Sequence, residues 1–141
     1  MPKAEFPYFS QIAKGNAAFP QGWACRRPQI AVSLIHGAKR LSTFGLLDTG
    51  ADHCLFPESF MAALGIDPGS TLSQSTMGVG GVSLTYFREV TIEVPRFAAI
   101  SAYVGFSVGM EPWGIGLLGH RGFLDRFKVT FQPKHFEIET I

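Results

Sequence analysis

From Pro28 onward, apolar and polar positions alternate in short runs. Ile30, Val32 and Leu34 alternate with Ala31, Ser33 and Ile35, and after a break at His36-Gly37-Ala38 a second run reaches Phe44-Gly45-Leu46-Leu47. A period of two on both sides of a glycine predicts a β-hairpin. Cys54-Leu55-Phe56 is a short apolar segment, and the spacing predicts a short helix over Pro57 to Leu64. Pro57 suits the first helical position, Glu58 the N-terminal dipole, and Gly65 the stop. From Thr71 to Phe87 the pattern is again two β-type arms, with Val82, Leu84 and Tyr86 alternating against Ser83, Thr85 and Phe87. Val90, Ile92 and Val94 continue the period up to Pro95, and Ala99 to Phe106 reads as another strand. After a loop from Ser107 to Gly114 come a short apolar run, Ile115 to Gly119, and one or two helical turns within Gly122 to Phe127. Lys128 to Phe131 and Phe136 to Glu139 close the pattern around a turn at Gln132-Pro133-Lys134. Many short strands with one or two short helices predict a mainly β barrel or sandwich.

Residues 1–27 show neither period: Phe6, Phe9, Phe19 and Trp23 are scattered among Pro7, Gly15, Pro20 and Gly22. So many aromatics do not suit a disordered tail. The segment reads as an irregular N-terminal extension that packs on the main body, residues 28–141, or across a subunit interface. The functional alternative is an inhibitory segment over the active cleft.

Composition narrows the function classes. A chain of 141 residues with 46% hydrophobic and 16% charged positions is enough for one domain with a real core. The net charge of +1, with Arg26-Arg27 and Lys39-Arg40 as isolated pairs, gives no basic surface for nucleic acid. No apolar stretch is long enough to span a membrane, and no apolar h-region follows Met1-Pro2-Lys3-Ala4-Glu5. A cytoplasmic protein with reduced Cys25 and Cys54 is the expectation. His36, His53, His120 and His135 lack metal-ligand spacing, so neither a metal nor another cofactor is expected.

The chemistry concentrates at Leu46-Leu47-Asp48-Thr49-Gly50-Ala51-Asp52, where an apolar strand runs straight into a carboxylate. An ionised Asp at the end of a buried strand needs a partner or a task. Asp-Thr-Gly is also good turn chemistry by itself, so a capped turn is the bland reading. Met77-Gly78-Val79-Gly80-Gly81-Val82 is bland as a hairpin tip needing positive φ. Functionally, a tip without side chains lays its backbone against a ligand and moves. His53-Cys54 invites a thiol nucleophile, but adjacent strand residues point to opposite faces, which favours a buried structural Cys54. No helix pattern follows Gly78-Val79-Gly80, so a phosphate loop lacks its helix N-terminus.

Three features stand in fixed order: Leu-Leu-Asp48-Thr-Gly-Ala, the glycine hairpin at Gly78 to Gly81, and Leu117-Leu118-Gly119 before a short helix. Together they resemble the retroviral-type, or retropepsin-like, aspartic proteases over roughly Pro28 to the C-terminus. The resemblance implies a single-lobe acid-protease β-barrel active as a two-fold homodimer, in which each subunit supplies one catalytic Asp48. Two such carboxylates retain one proton between them, so one serves as base toward water while the other polarises the scissile carbonyl. It further implies that Thr49 and Gly50 fix the loop and that Leu118 and Gly119 brace it. Ala51 and Asp52 would line the cleft, and Gly78, Val79, Gly80 and Gly81 would close over an extended peptide. The expected partners are a second copy of the chain and a peptide or protein substrate, without nucleic acid or membrane. Where the family often has Gly-Arg-Asp or Gly-Arg-Asn, this chain reads Gly119-His120-Arg121-Gly122. Either His120 or Arg121 stands in for the arginine that would pair with Asp52. Asp52 is itself divided between a substrate contact and a structural ion pair. The other function class is a protease-fold module that binds peptides or assembles dimers with little or no hydrolysis.

Overall fold

The computed structural model describes residues 2–78 and 81–141, and it is mainly β. Its strands are β1 (Lys3–Pro7), β2 (Phe9–Ala13), β3 (Trp23–Arg27), β4 (Gln29–His36), β5 (Lys39–Leu47), β6 (Leu55–Pro57), β7 (Leu72–Gly78), β8 (Gly81–Val94), β9 (Ala98–Ser107), β10 (Gly116–Leu118), β11 (Phe127–Phe131) and β12 (His135–Thr140). A four-residue helix, α1 (Phe60–Ala63), and 3-10 turns at Pro68–Ser70, Val108–Trp113 and Leu124–Arg126 complete the described elements.

The principal sheet runs in the order β4-β5-β10-β6-β9-β8-β7, and β4 also pairs with β8, so the sheet bends back on itself. The expected first hairpin forms with Gln29 opposite Leu46 and His36 opposite Lys39, and Gly37 supplies the left-handed φ of 58° at its turn. Ile30, Val32 and Leu34 enter the core, as the alternation predicts. Ser33, on the other face, is buried as well, with its hydroxyl 3.3 Å from that of Ser42, because β4 meets β8 on its second edge. The core gathers Phe56, Leu64, Ile92, Phe106, Leu118, Phe123 and Ile138 in one cluster.

In β8 the buried side changes along one strand. Thr85 and Phe87 are buried at odd positions, whereas Val90, Ile92 and Val94 are buried at even ones. The pairing with β9 stays in register from Thr85 opposite Ser107 to Val94 opposite Ala98, so no bulge causes the change. The strand is long enough to be covered on one face near its start and on the other near its end. Gly105 permits the first covering: a Cβ there would come 2.5 Å from the Thr85 methyl and 2.7 Å from Leu55.

Two local expectations are corrected. The helix does not begin at Pro57, because Leu55–Pro57 pairs parallel with Gly105–Ser107 of β9 and the Glu58 N–H donates to the Ser107 carbonyl at 3.1 Å. Tertiary pairing thus holds the first residues of the expected helix extended. Its stop is as predicted: Gly65 has φ 67°, its N–H donates to Ala62, and the Ile66 N–H reaches back to Met61 in a Schellman pattern.

The segment read as irregular contains three strands. β1 pairs antiparallel with β12, placing Phe6 opposite Phe136 with ring centroids 5.5 Å apart. β12 in turn pairs with β11, giving a three-stranded sheet that joins the two ends of the chain. β2 and β3 form a separate two-stranded ribbon, anchored at its base where the Tyr8 hydroxyl donates to the Gln132 carbonyl at 2.7 Å. Most of the ribbon is exposed on both faces, so it carries no alternation for the sequence to display.

Candidate functional site

Strand β5 ends at buried Leu47 and hands the chain to Asp48. β10 lies parallel beside it with Leu118 opposite Leu47, and the Asp48 N–H donates to the Leu118 carbonyl at 3.1 Å. The close approach of these strands uses Gly45, where a Cβ would stand 2.6 Å from the Leu118 side chain. Beyond Leu47 the chain turns on itself: Asp48 Oδ1 accepts from the Gly50 N–H at 2.8 Å, and the Ala51 N–H donates to the Asp48 carbonyl at 3.2 Å. This is the turn chemistry of an Asx residue. It leaves Asp48 half-buried at the edge of the core, with Thr49 and Gly50 exposed. A carboxylate has about four acceptor positions, so one bond to Gly50 leaves capacity for a water or a second carboxyl.

A second segment lies against this turn. The His120 N–H donates to the Ala51 carbonyl and the Arg121 N–H to the Asp52 carbonyl, each at 2.9 Å, and His53 and Arg121 form a parallel bridge. Gly119 makes the contact possible, since a Cβ there would collide with the carbonyl oxygen of His53 and stand 2.6 Å from that of Ala51. The two candidates for the partner of Asp52 are thus placed by main-chain bonds. Among the described residues neither side chain forms an ion pair with Asp52. His120 instead turns its ring to the Asp48-Thr49-Gly50 turn, where Nε2–H donates to the Thr49 carbonyl at 2.6 Å. A carbonyl only accepts, so this contact fixes the hydrogen on Nε2.

Asp48, Thr49, Gly50, Ala51 and Asp52 are therefore brought together with Leu118 and Gly119. Gly78 and Gly81 face each other at the end of the β7–β8 hairpin, where Gly81 has φ 108°. Val79 and Gly80, the remaining residues of the expected flap tip, lie outside the described residues. The bracing by His120 was not foreseen; its acceptor is a main-chain oxygen, which leaves no signal in side-chain identities.

Cys54 is fully buried, and its Sγ lies 3.5 Å from the Arg121 carbonyl. Burial pushes the thiol up to about 12, against a smaller opposing effect of a backbone hydrogen bond from Gly119. A thiol so held is protonated and is no nucleophile at neutral pH. Its raised value also predicts a pH effect on stability. Burial of the neutral thiol contributes fully below about pH 9, and the contribution falls as pH rises toward about 12, because the unfolded chain ionises first. The slope for one such group is about 1.4 kcal/mol per pH unit. Urea unfolding of wild type and Cys54→Ala between pH 8 and 11, an interval set by roughly that titration range, should show the wild type losing stability faster; parallel curves would contradict the assignment.

Elsewhere, Glu5, His135 and Glu137 bring three ligand atoms within 4.8 Å of one another on the terminal sheet. The Lys3 ammonium stands 3.5 Å from Glu137 and already supplies a positive charge there. Among the described residues no helix is long and apolar enough to cross a membrane.

No protein-family model matches the chain, and no curated protein matches it in sequence. Its structure is similar to the crystal structure of a retropepsin-like aspartic protease from Rickettsia conorii, with a TM-score of 0.62 and 13% identity over 97% of this chain and 98% of that one. At that identity the likeness is one of fold. The chain therefore has a retropepsin-like fold, with Asp48-Thr49-Gly50 at the end of β5 braced by β10.

Proposed function

We propose that the protein is an aspartic endopeptidase whose working unit is a homodimer, with one Asp48 from each subunit. The observation that carries this reading is the setting of Asp48. It is a half-buried residue at the end of a core strand, its carboxylate accepting from the Gly50 N–H and its main-chain N–H donating to the Leu118 carbonyl, within the fold of an aspartic protease. A single chain of this length supplies one Asp-Thr-Gly, and a second carboxyl is needed to share a proton with the first. Two-fold symmetry provides it.

In the reaction, the ionised carboxylate takes a proton from a water as its oxygen bonds to the scissile carbonyl carbon. The protonated partner hydrogen-bonds the carbonyl oxygen, and the C–N bond breaks with a proton delivered to the amine. Thr49 bonds across the dimer axis, and Gly50 leaves room for the substrate backbone. Ala51 and Asp52 line the cleft, Leu118 and Gly119 hold the loop, and the tip from Gly78 to Gly81, including Val79 and Gly80, closes over the peptide.

Dilution tests the dimer. Specific activity on a peptide mixture should fall as the protein is diluted through the range in which sedimentation equilibrium shows two chains becoming one. Full activity of a strictly monomeric species would overturn the shared-carboxylate mechanism.

A further inference from the structure

A cavity of about 430 Å³ opens one residue beyond Asp52, between the start of β7 and the segment that follows Gly119. That volume lies within the roughly 300–1,000 Å³ of ligand pockets. One wall is a row of three rings, of which Phe87 and Tyr103 give the apolar surface: the His53 imidazole meets Phe87 edge-on at 5.2 Å, and Tyr103 stacks on Phe87 at 5.5 Å. Phe87 is buried, whereas Tyr103 is 47% exposed and so has surface left for a ligand. Beyond the His53 imidazole, the polar side chains of the lining include Arg121, Ser73 and Gln74. All three offer hydrogen-bond donors. Among the described residues that line the cavity there is no carboxylate, and the Arg121 guanidinium takes part in none of the ion pairs of the described residues. Asp125, four residues beyond Arg121, accepts from the Gly122 N–H at 3.3 Å.

We propose that this cavity is a side-chain pocket of the peptide site that selects glutamate or aspartate, with Arg121 as the residue that reads the carboxylate. The chemistry is that of a methylene stem lying on Phe87 and Tyr103 while its carboxylate meets a guanidinium and two neutral donors. Arg121 suits this task because its main chain is fixed by the bond to Asp52 and the bridge to His53, so the guanidinium starts from a rigid base. An uncharged aromatic side chain would fill the apolar wall but leave the guanidinium without an anion. The proposal rests on the reading of the chain as a peptide hydrolase.

The experiment uses a randomised decapeptide library in two arms. In the first, wild-type protein digests the library and the cleavage sites are sequenced by mass spectrometry. In the second, immobilised Asp48→Asn protein captures peptides without cutting them, and the retained pool is sequenced. Both arms are repeated with Arg121→Gln and Arg121→Glu. At one fixed position the acidic residues should be enriched about fivefold, the factor expected of a partly exposed ion pair. The enrichment should vanish with Arg121→Gln and turn to lysine and arginine with Arg121→Glu. An unchanged preference in Arg121→Glu, or enrichment of aromatic residues alone, would overturn the proposal. If wild type cuts nothing while the capture arm shows the reversal, the pocket stands and the hydrolase reading fails. If cutting occurs without any charge preference, the reverse holds.

Discussion

Replacing Asp48 by asparagine should lower peptide cleavage by at least about a thousandfold, the scale on which a positioned acid–base group acts. The amide is nearly isosteric with the carboxyl, and its oxygen still accepts from the Gly50 N–H that holds the turn. The bonds from Asp48 N–H to Leu118 and from Ala51 N–H to Asp48 are main-chain bonds and do not depend on the side chain. The folded structure and its urea midpoint should therefore change little. What the amide cannot do is take a proton from water or share one with a second carboxyl. Cleavage rates, circular dichroism and sedimentation together check the expectation. Undiminished cleavage by a well-folded Asp48→Asn protein would remove Asp48 from the mechanism, and buried Cys54 offers no replacement nucleophile.

Gly119→Ala should be the most damaging single-methyl change at the site. The added Cβ would strike the His53 and Ala51 carbonyl oxygens, which are backbone atoms and cannot swing aside as a side chain does. The Ala51 carbonyl is also the acceptor for the His120 N–H, so moving it breaks a bond as well as relieving a clash. Overpacking of this kind costs about 3 kcal/mol, at the upper end of the usual range. The displacement is transmitted to the turn that carries Asp48, and a shift of about 1 Å in a catalytic group costs on the order of a hundredfold in rate. The expected result is a lower urea midpoint together with a fall in kcat/KM. Wild-type values for both would mean that the 119–121 segment does not brace the Asp48 turn.

The central elements were legible because burial on one face imposes a period on the sequence. Ile30, Val32 and Leu34 announce β4, and Leu46-Leu47 followed by Asp48 announces a carboxylate at the end of a core strand. The helix start was misread because Pro57 and Glu58 carry good local helix signals, while pairing with β9, some fifty positions away, decides their conformation. β1 escaped notice since its partner β12 lies at the far end of the chain, and β2 and β3 because neither face of their ribbon is fully buried. At the candidate site, residue types pointed to Asp48 and Gly119, which the fold places near each other, but the acceptors of His120 and Arg121 are main-chain oxygens, which no side chain advertises. The cavity is assembled from separated segments around His53, Ser73, Phe87, Tyr103 and Arg121, so its composition emerges only on folding.

The terminal sheet has a further consequence. β12 has a neighbour on each side, β1 and β11, and contributes two fully buried side chains, Phe136 and Ile138. Without residues 3–7, one whole ladder of its N–H and C=O groups would become an open edge on a strand that carries buried Phe136 and Ile138. Such an edge is a template for pairing with any other extended chain. The five residues of β1 therefore work as a selvedge: they finish the fabric where it would otherwise fray or be sewn to another piece.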